Sequence, residues 1–263
     1  MTSVKILAVG DVYGKTGVDF LAKNLPRLKR EMNIDFTVVN GENADNTGIT
    51  PNDADDIFAY GADVITLGNH AFSRDSINNY LDDNRYILRP ANLAPSAPGR
   101  GFGVFETKFG DVCVINLLGR VEMQPLSDNP FFELDRILAR PEVAACRVKL
   151  VDFHAEATSE KYAMAFHAET RVSALWGTHT HVQTSDSQVF AGGLGYITDI
   201  GMTGAVRSIL GVEPTLGLRR FIGSPKARFD AAPPPAKLEG CVFEIDAETG
   251  KCIKIEAIRK IYA

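Results

Sequence analysis

The chain has 263 residues, about 45% of them apolar and 23% charged, with a formal net charge of −5. A chain of this length can bury a large core, and this composition is that of an ordinary globular protein. The negative balance argues against broad nucleic-acid binding, which depends on Lys and Arg neutralising phosphates, and no apolar run reaches the ~18 residues of a membrane span.

The N-terminus enters a strand at once, Lys5 to Val9, stopping at Gly10-Asp11. It shows no signal-peptide pattern, so a cytoplasmic protein is expected. Val18 to Glu31 has helical spacing, with Phe20, Leu21, Leu25 and Leu28 on one face and Pro26 as an irregularity. Phe36 to Val39 is the next strand, ending at Asn40-Gly41-Glu42-Asn43. Thr50-Pro51-Asn52-Asp53 has the form of a helix start: a Thr cap, Pro first, an acid third. Val64 to Leu67 is a strand ending at Gly68-Asn69-His70.

Val104 to Phe109 and Val112 to Leu117, joined at Gly110-Asp111, read as a β-hairpin. Asn129-Pro130 opens a helix to about Arg140. Val148 to Phe153 is a strand ending at His154, followed by a helix from Ser159 to Glu169. Val172 to Trp176 is a strand ending at Gly177-Thr178-His179. The last strands are Gly193 to Ile197, Gly240 to Ile245 and Cys252 to Ile258, with a turn at Glu248-Thr249-Gly250. Arg228 to Lys237, with Pro233-Pro234-Pro235, reads as a surface loop. Neither a repeat nor a dividing linker is visible, so one domain over 1–263 is expected. Cys113, Cys146, Cys241 and Cys252 are scattered and form no CxxC, as expected of reduced, mostly buried thiols.

Five of the strand-like runs end in a short loop bearing Asp, Glu, Asn or His, and ligands of open α/β sheets bind beyond the carboxyl ends of strands. The candidates are Asp11 in GDVYG, Glu42 and Asn43 in NGENAD, Asn69 and His70 in GNHAF, His154 in DFHAEAT, and His179 and His181 in GTHTH. Singly, each has an ordinary reading as a turn, a cap or a hydrogen-bonded histidine. Jointly they are stronger, because four of the five histidines fall at strand ends; His167, inside a predicted helix, reads as structural. His179 and His181, two residues apart, can share one strand face.

The set offers oxygen and imidazole but no sulfur, which suits iron, manganese or zinc. Glu42 can bridge two ions ~3.5–4 Å apart. Such a pair would neutralise a phosphate ester and acidify a bridging water, which as hydroxide would attack phosphorus, while a histidine beside the metals protonates the leaving oxygen.

These motifs in this order resemble the calcineurin-like metallophosphoesterase superfamily. That superfamily's first motif, GDxHG, is here GDVYG, with Tyr13 in place of a metal-binding histidine; its second, GDxxD, is GENAD. With LLGR, DFHAEATSEK, GTHTHVQT and TDIGMTG, the departures resemble a bacterial subfamily, the YmdB-like metallophosphoesterases, over nearly the whole chain. The resemblance implies an α/β fold: a two-sheet β-sandwich flanked by helices (α-β-β-α). It implies one ion held by Asp11, Glu42, Asn43 and His181, and another held by Glu42, Asn69, His154 and His179. Asn43 would replace the ligand lost at Tyr13, and His70 would be the acid facing the leaving group. It further implies iron or manganese, a cyclic nucleotide such as cyclic AMP as partner, and a homo-oligomer in many members. Phe72 stands where Trp is expected after GNH, and Ser73-Arg74 and His167-Ala168-Glu169 also depart from the subfamily.

Asp199 is expected either to fix a ligand histidine or to serve a turn. Thr180 is expected to face away from the ligands, and Asp152 to use the other face of its strand. Asn92 and Arg120 are weighed as phosphate contacts against structural roles. Two other functions fit the motifs: a phosphomonoesterase acting on nucleotides or phosphoproteins, and a non-enzymatic regulatory protein with a structural metal site.

Overall fold

The structure, a computed structural model, describes residues 3–223 and 229–261. The chain opens with β1 (Ser3–Val9), β2 (Asp11–Val12), α1 (Gly14–Met32), β3 (Phe36–Asn40), α2 (Pro51–Ala59), β4 (Val64–Thr66), α3 (Ile77–Asp83) and β5 (Ile87–Leu88). The middle adds β6 (Phe102–Phe105), β7 (Val112–Leu118), α4 (Pro130–Leu138), α5 (Pro141–Ala145), β8 (Val148–His154), α6 (Thr158–Ala168), β9 (Ala174–Thr178), β10 (Gln188–Val189) and β11 (Gly195–Ile197). It ends with β12 (Met202–Ala205), α7 (Pro214–Phe221), β13 (Ala236–Asp246) and β14 (Cys252–Ile261).

Alternation along the strands sorts the apolar residues into three layers. In β1, Leu7 and Val9 pack beneath α1 and α2 with Leu21, Leu25 and Ile57, while Val4, Ile6 and Ala8 face the second sheet. In β7, Val112 and Val114 face the first sheet, while Cys113, Ile115 and Leu117 pack against Leu134, Ile137 and Met164 of the opposite helices. The result is the helix–sheet–sheet–helix sandwich that the resemblance implied. The first sheet runs β2-β12-β13-β1-β3-β4-β5, with β14 on the other side of β13; the second runs β10-β11-β9-β8-β7-β6.

One junction positions the site. β13 pairs with β1 through Gly240–Asp246 and with β12 through Ala236–Leu238. The chain leaves β13 at Gly10, whose N–H donates to the Glu239 carbonyl at 3.0 Å. A side chain at Gly10 would start 2.2 Å from the Gly201 carbonyl oxygen, so glycine lets β12 slip in beside Asp11.

Several expected boundaries move. α1 starts at Gly14 rather than Val18 and carries Pro26 inside it. The hairpin's first strand stops at Phe105, because Thr107 and Gly110 form a turn. The helix after Asn129 ends at Leu138, and Pro141 opens a second one. The loop reading of 228–237 needs correction: Ala236 and Lys237 belong to β13, and Ala232 is buried and hydrogen-bonded to Gly211. Arg228 of that loop lies outside the described residues. All four cysteines are buried and unpaired. No helix among the described residues is long and apolar enough to cross a membrane.

Candidate metal centre

The layer between the sheets is apolar at one end and polar at the other. Along the inner faces, Val38 gives way to Asn40, Val64 to Thr66, Val114 to Asn116, Leu150 to Asp152 and His154, and Trp176 to Thr178. These polar side chains are all at most 1% exposed, so each must find a partner. Asp152 accepts from Thr66 Oγ1 at 2.5 Å, Thr178 Oγ1 at 2.6 Å and Asn40 Nδ2 at 3.3 Å. Burial raises the Asp152 carboxyl to about 6 against the pull of these two hydroxyls. Asn116 ties the sheets together by donating to the carbonyls of Leu67 and Leu88 at 2.6 and 2.9 Å. Having given its proton to Asp152, Thr178 accepts from His154 Nδ1 at 2.9 Å.

That chain of hydrogen bonds turns His154 Nε2 toward a ring of donors. Glu42 Oε1 lies 2.9 Å from it, Asn69 Oδ1 3.0 Å and His179 Nδ1 3.1 Å. His179 Nε2 faces Glu156 Oε2 at 3.2 Å. The adjoining group is Asp11, Asn43 and His181: His181 Nε2 is 3.2 Å from Asn43 Nδ2 and 3.6 Å from Asp11 Oδ1, while its Nδ1 donates to the Leu210 carbonyl at 2.9 Å. Glu42 joins the two groups, with Oε1 also 3.4 Å from Asn43 Nδ2. The structure therefore brings all seven expected ligand residues together. His70 sits at the rim, where its N–H donates to Glu42 Oε2 at 3.0 Å and its Nδ1 lies 3.4 Å from Ser73 Oγ.

Each of the three histidines meets an oxygen with its outer nitrogen and turns the inner one on the cluster, the arrangement that fixes the tautomer of metal-binding histidines. Burial opposes charge on Asp11 and Glu42, yet His181 and His154 hold both carboxyls below their usual range. Burial also opposes charge on His154, but Glu42 and Asp11 push it up to about 9. Burial and the neighbouring His154 drive His179 down to about 3. Asp11 Oδ1 is buried without a hydrogen-bond partner. Two buried carboxylates, ring nitrogens of His154 and His179 within 4.8 Å of Glu42, and one orphaned oxygen are a donor set that fits cations.

The loop carrying His179 and His181 corrects one expectation. β9 ends at Thr178, so the two histidines do not share a strand face; they converge because both take positive φ, 101° and 62°. Such backbone is strained in a non-glycine residue and has to be held. Asp199 holds it, accepting from the Thr180 N–H and hydroxyl at 3.1 and 2.8 Å, while the fully buried Lys161 bonds Asp199 at 2.8 Å and the Thr178 carbonyl at 3.0 Å. Asp199 thus serves the turn, not a ligand histidine. Lys161, Asp152, Thr178 and Glu156 have no distinct signal in the sequence; the nearest was the motif run DFHAEATSEK, which contains three of them.

Asn92 is spent largely on backbone, bonding Leu118 at both ends of its amide, and the Arg120 backbone N–H donates to Glu160; neither residue lines the cavity over the cluster. His167 bonds Asp135 at 2.9 Å, as a structural histidine. Tyr13 stands edge-on to His181, ring centres 5.7 Å apart, its hydroxyl pushed up to about 12 by burial and Asp230. Phe72 packs into the core, and Arg74 pairs with Asp45 at 2.7 Å. A cavity of about 770 Å³ opens over the cluster, lined on one side by Glu42, Asn43, His70 and His179 and on the other by Ile209, Leu210, Val212, Arg220, Phe221 and Phe229.

A family model described as YmdB-like protein matches residues 7–258. A 2′,3′-cyclic-nucleotide 2′-phosphodiesterase of Bacillus subtilis (strain 168) is 41% identical over 258 residues, covering 97% of this chain and 96% of that protein. The crystal structure of a phosphatase from Mycoplasma pneumoniae superposes with a TM-score of 0.92 at 35% identity, over 99% of this chain and 94% of the other. An NAD nucleotidase from Haemophilus influenzae shares the fold alone: TM-score 0.59 at 12% identity, over 99% of this chain and 50% of that one.

Proposed function

The chain belongs to the YmdB-like protein family and is a phosphoesterase, and from that premise we propose that it opens the phosphodiester of a cyclic nucleotide over a pair of metal ions. The observation that carries this reading is the convergence of Glu42, Asn69 and His179 within 3.1 Å of His154 Nε2, with Asp11, Asn43 and His181 alongside and Glu42 joining the two groups. Glu42, Asn69, His154 and His179 would hold one ion, and Asp11, Glu42, Asn43 and His181 the other. The absence of sulfur from the set favours iron or manganese, with zinc also suited. When bound, the ions supply charge neutralisation for the phosphate and an acidified water.

The protein's own residues do the rest. The hydrogen bonds from His154 to Thr178, His179 to Glu156 and His181 to Leu210 keep three imidazoles aimed inward. His70, tied by its backbone to Glu42 and half open to the cavity, donates a proton to the departing ribose oxygen. The Bacillus subtilis relative is named for 2′,3′-cyclic nucleotides, and we take that ring, rather than the 3′,5′ ring of cyclic AMP, as the substrate.

The test is a screen of 2′,3′-cyclic nucleotides, 3′,5′-cyclic nucleotides and nucleoside monophosphates with manganese or iron present, beside metal analysis. Turnover of the 2′,3′ ring, lost on chelation, is expected. His70→Asn lowers kcat about 10²–10⁴-fold, the usual worth of a general acid, at unchanged metal content. Full activity in that variant rejects His70 as the acid, and faster turnover of monoesters than of diesters makes the enzyme a phosphomonoesterase.

A further inference from the structure

α7 is held lightly. It buries one residue, Gly217, against Ile209, and leaves Leu218, Phe221 and Ile222 exposed at 53%, 80% and 73%. Apolar surface of this extent beside a cavity calls for an occupant. Yet the wall α7 belongs to is anchored to the metal centre. The Glu213 carboxylate caps the helix by accepting from the Leu216 N–H at 2.9 Å, and the Glu213 N–H donates to the Asp230 carbonyl at 2.9 Å. Ile209 and Val212 exchange backbone hydrogen bonds, and Leu210 between them accepts from His181 Nδ1. Gly211, at φ 100°, lies against the Tyr13 ring, where a side chain would start only 2.3 Å away. The wall therefore stands at a set distance from the residues that face a phosphate.

Its chemistry is that of a stacking platform. The Arg220 guanidinium lies over the Phe229 ring, 4.9 Å from its centre, and Phe221 lines the same cavity. Arg220 contributes the only Lys or Arg side chain among the described residues lining it. A phosphate at the donor cluster leaves most of the 770 Å³ to be filled. Beside the polar Asn46, Thr47, Glu156 and Thr180, what remains is the apolar and aromatic wall of Ile209, Leu210, Val212, Phe221 and Phe229 with one delocalised cation, surroundings that take up a flat π-system. We infer that Phe221, Phe229 and Arg220 form the nucleobase subsite, so that the enzyme selects nucleoside phosphates over phosphates of simple alcohols by stacking the base on this wall. This rests on the cyclic-nucleotide reading above and names the part of the chain that recognises the nucleoside.

The test compares two monoester dianions that differ only in the nucleoside, adenosine 3′-monophosphate and methyl phosphate, by calorimetric titration of the manganese-loaded protein. Stacking on one aromatic ring is worth about a tenfold or greater change in affinity. The wild type is expected to bind the adenosine ester at least about tenfold more tightly than methyl phosphate. Phe221→Ala removes about tenfold from the first and leaves the second within about twofold, while Phe221→Tyr keeps the preference. Phe221 is a surface residue, so these variants fold, and Phe229→Ala repeats the comparison at the second ring of the same wall.

No preference in the wild type, a preference retained in both alanine variants, or an equal loss for both ligands overturns the subsite. So does a Phe221→Ala protein that changes only its mass in light scattering, which makes α7 a contact between copies of this chain. Because binding is read directly, failure of every diester to turn over counts against the proposed reaction and not against the subsite.

Discussion

Thr178 shows how much one hydroxyl can carry. It has a single proton, given to Asp152, and it receives the one on His154 Nδ1. Valine has the same shape and neither function. Thr178→Val leaves Asp152 and His154 facing each other without an intermediary, freeing the imidazole to take the wrong tautomer. Outer partners of metal-bound histidines are worth about 10–100-fold in metal affinity. We expect a loss of that size for Thr178→Val in chelator-buffered metal titrations and recovery with Thr178→Ser. Equal affinity in the valine variant would show that the hydroxyl does not orient His154.

At the scale of elements, the segment after the histidine loop is pinned to the end of β11 by Asp186. Its carboxylate accepts from the Thr184 hydroxyl at 2.6 Å and from the N–H of Thr198 at 3.2 Å. Burial works against its charge, but Thr184 and Thr198 outweigh burial and lower its pKa below the ordinary 3.8. A depressed folded-state value means that the stabilisation is complete above the unfolded value and drains away as the pH falls through the folded one. Asp186→Asn should cost about 1 kcal/mol at pH 7, and the gap between the two proteins should close below about pH 4. Urea titrations at several pH values measure this; a gap that ignores pH would assign the cost to shape and not to charge.

The same scale explains what the sequence made legible. Gly10-Asp11, Gly41-Glu42-Asn43, Gly68-Asn69-His70 and His154 were readable because glycine and polar residues abruptly halt apolar runs at the ends of β1, β3, β4 and β8. β2, β12 and α7 are short and owe their shape to neighbours far along the chain, so no local period announces them. Nor could spacing reveal the positive φ of His179 and His181, which depends on Lys161 and Asp199 meeting across 38 residues. Asp152 was expected on the opposite face of its strand from His154; residues two apart share a face, and it lies inward beside His154, bonded to Thr66 and Thr178.

For the whole molecule, the donors come from both halves of the sandwich. Asp11, Glu42, Asn43 and Asn69 follow strands of the first sheet; His154, His179 and His181 end or follow strands of the second. Ions gripped by both would clamp the sheets together, and the unfolded chain holds no such site. At free metal ~100 times Kd this linkage adds about 2.7 kcal/mol, and at about 2–4 °C per kcal/mol for a chain of this size Tm rises by roughly 5–10 °C. Calorimetric scans with manganese and then with excess chelator should show the rise and its reversal. A Tm indifferent to saturating metal would mean that the donors do not act as one site.

The Gly10 junction also bears on the order in which the molecule can be made. β1 emerges from the ribosome well before its neighbour β13, which is encoded more than 200 residues later. Until Ala236–Asp246 has been synthesised, β1 keeps a bare edge, and nothing fixes the bend that sends Asp11 across to His181. The nascent chain therefore carries Asp11 in a latent form, and a message cut short before that segment yields protein with the signature motifs intact and no assembled donor cluster.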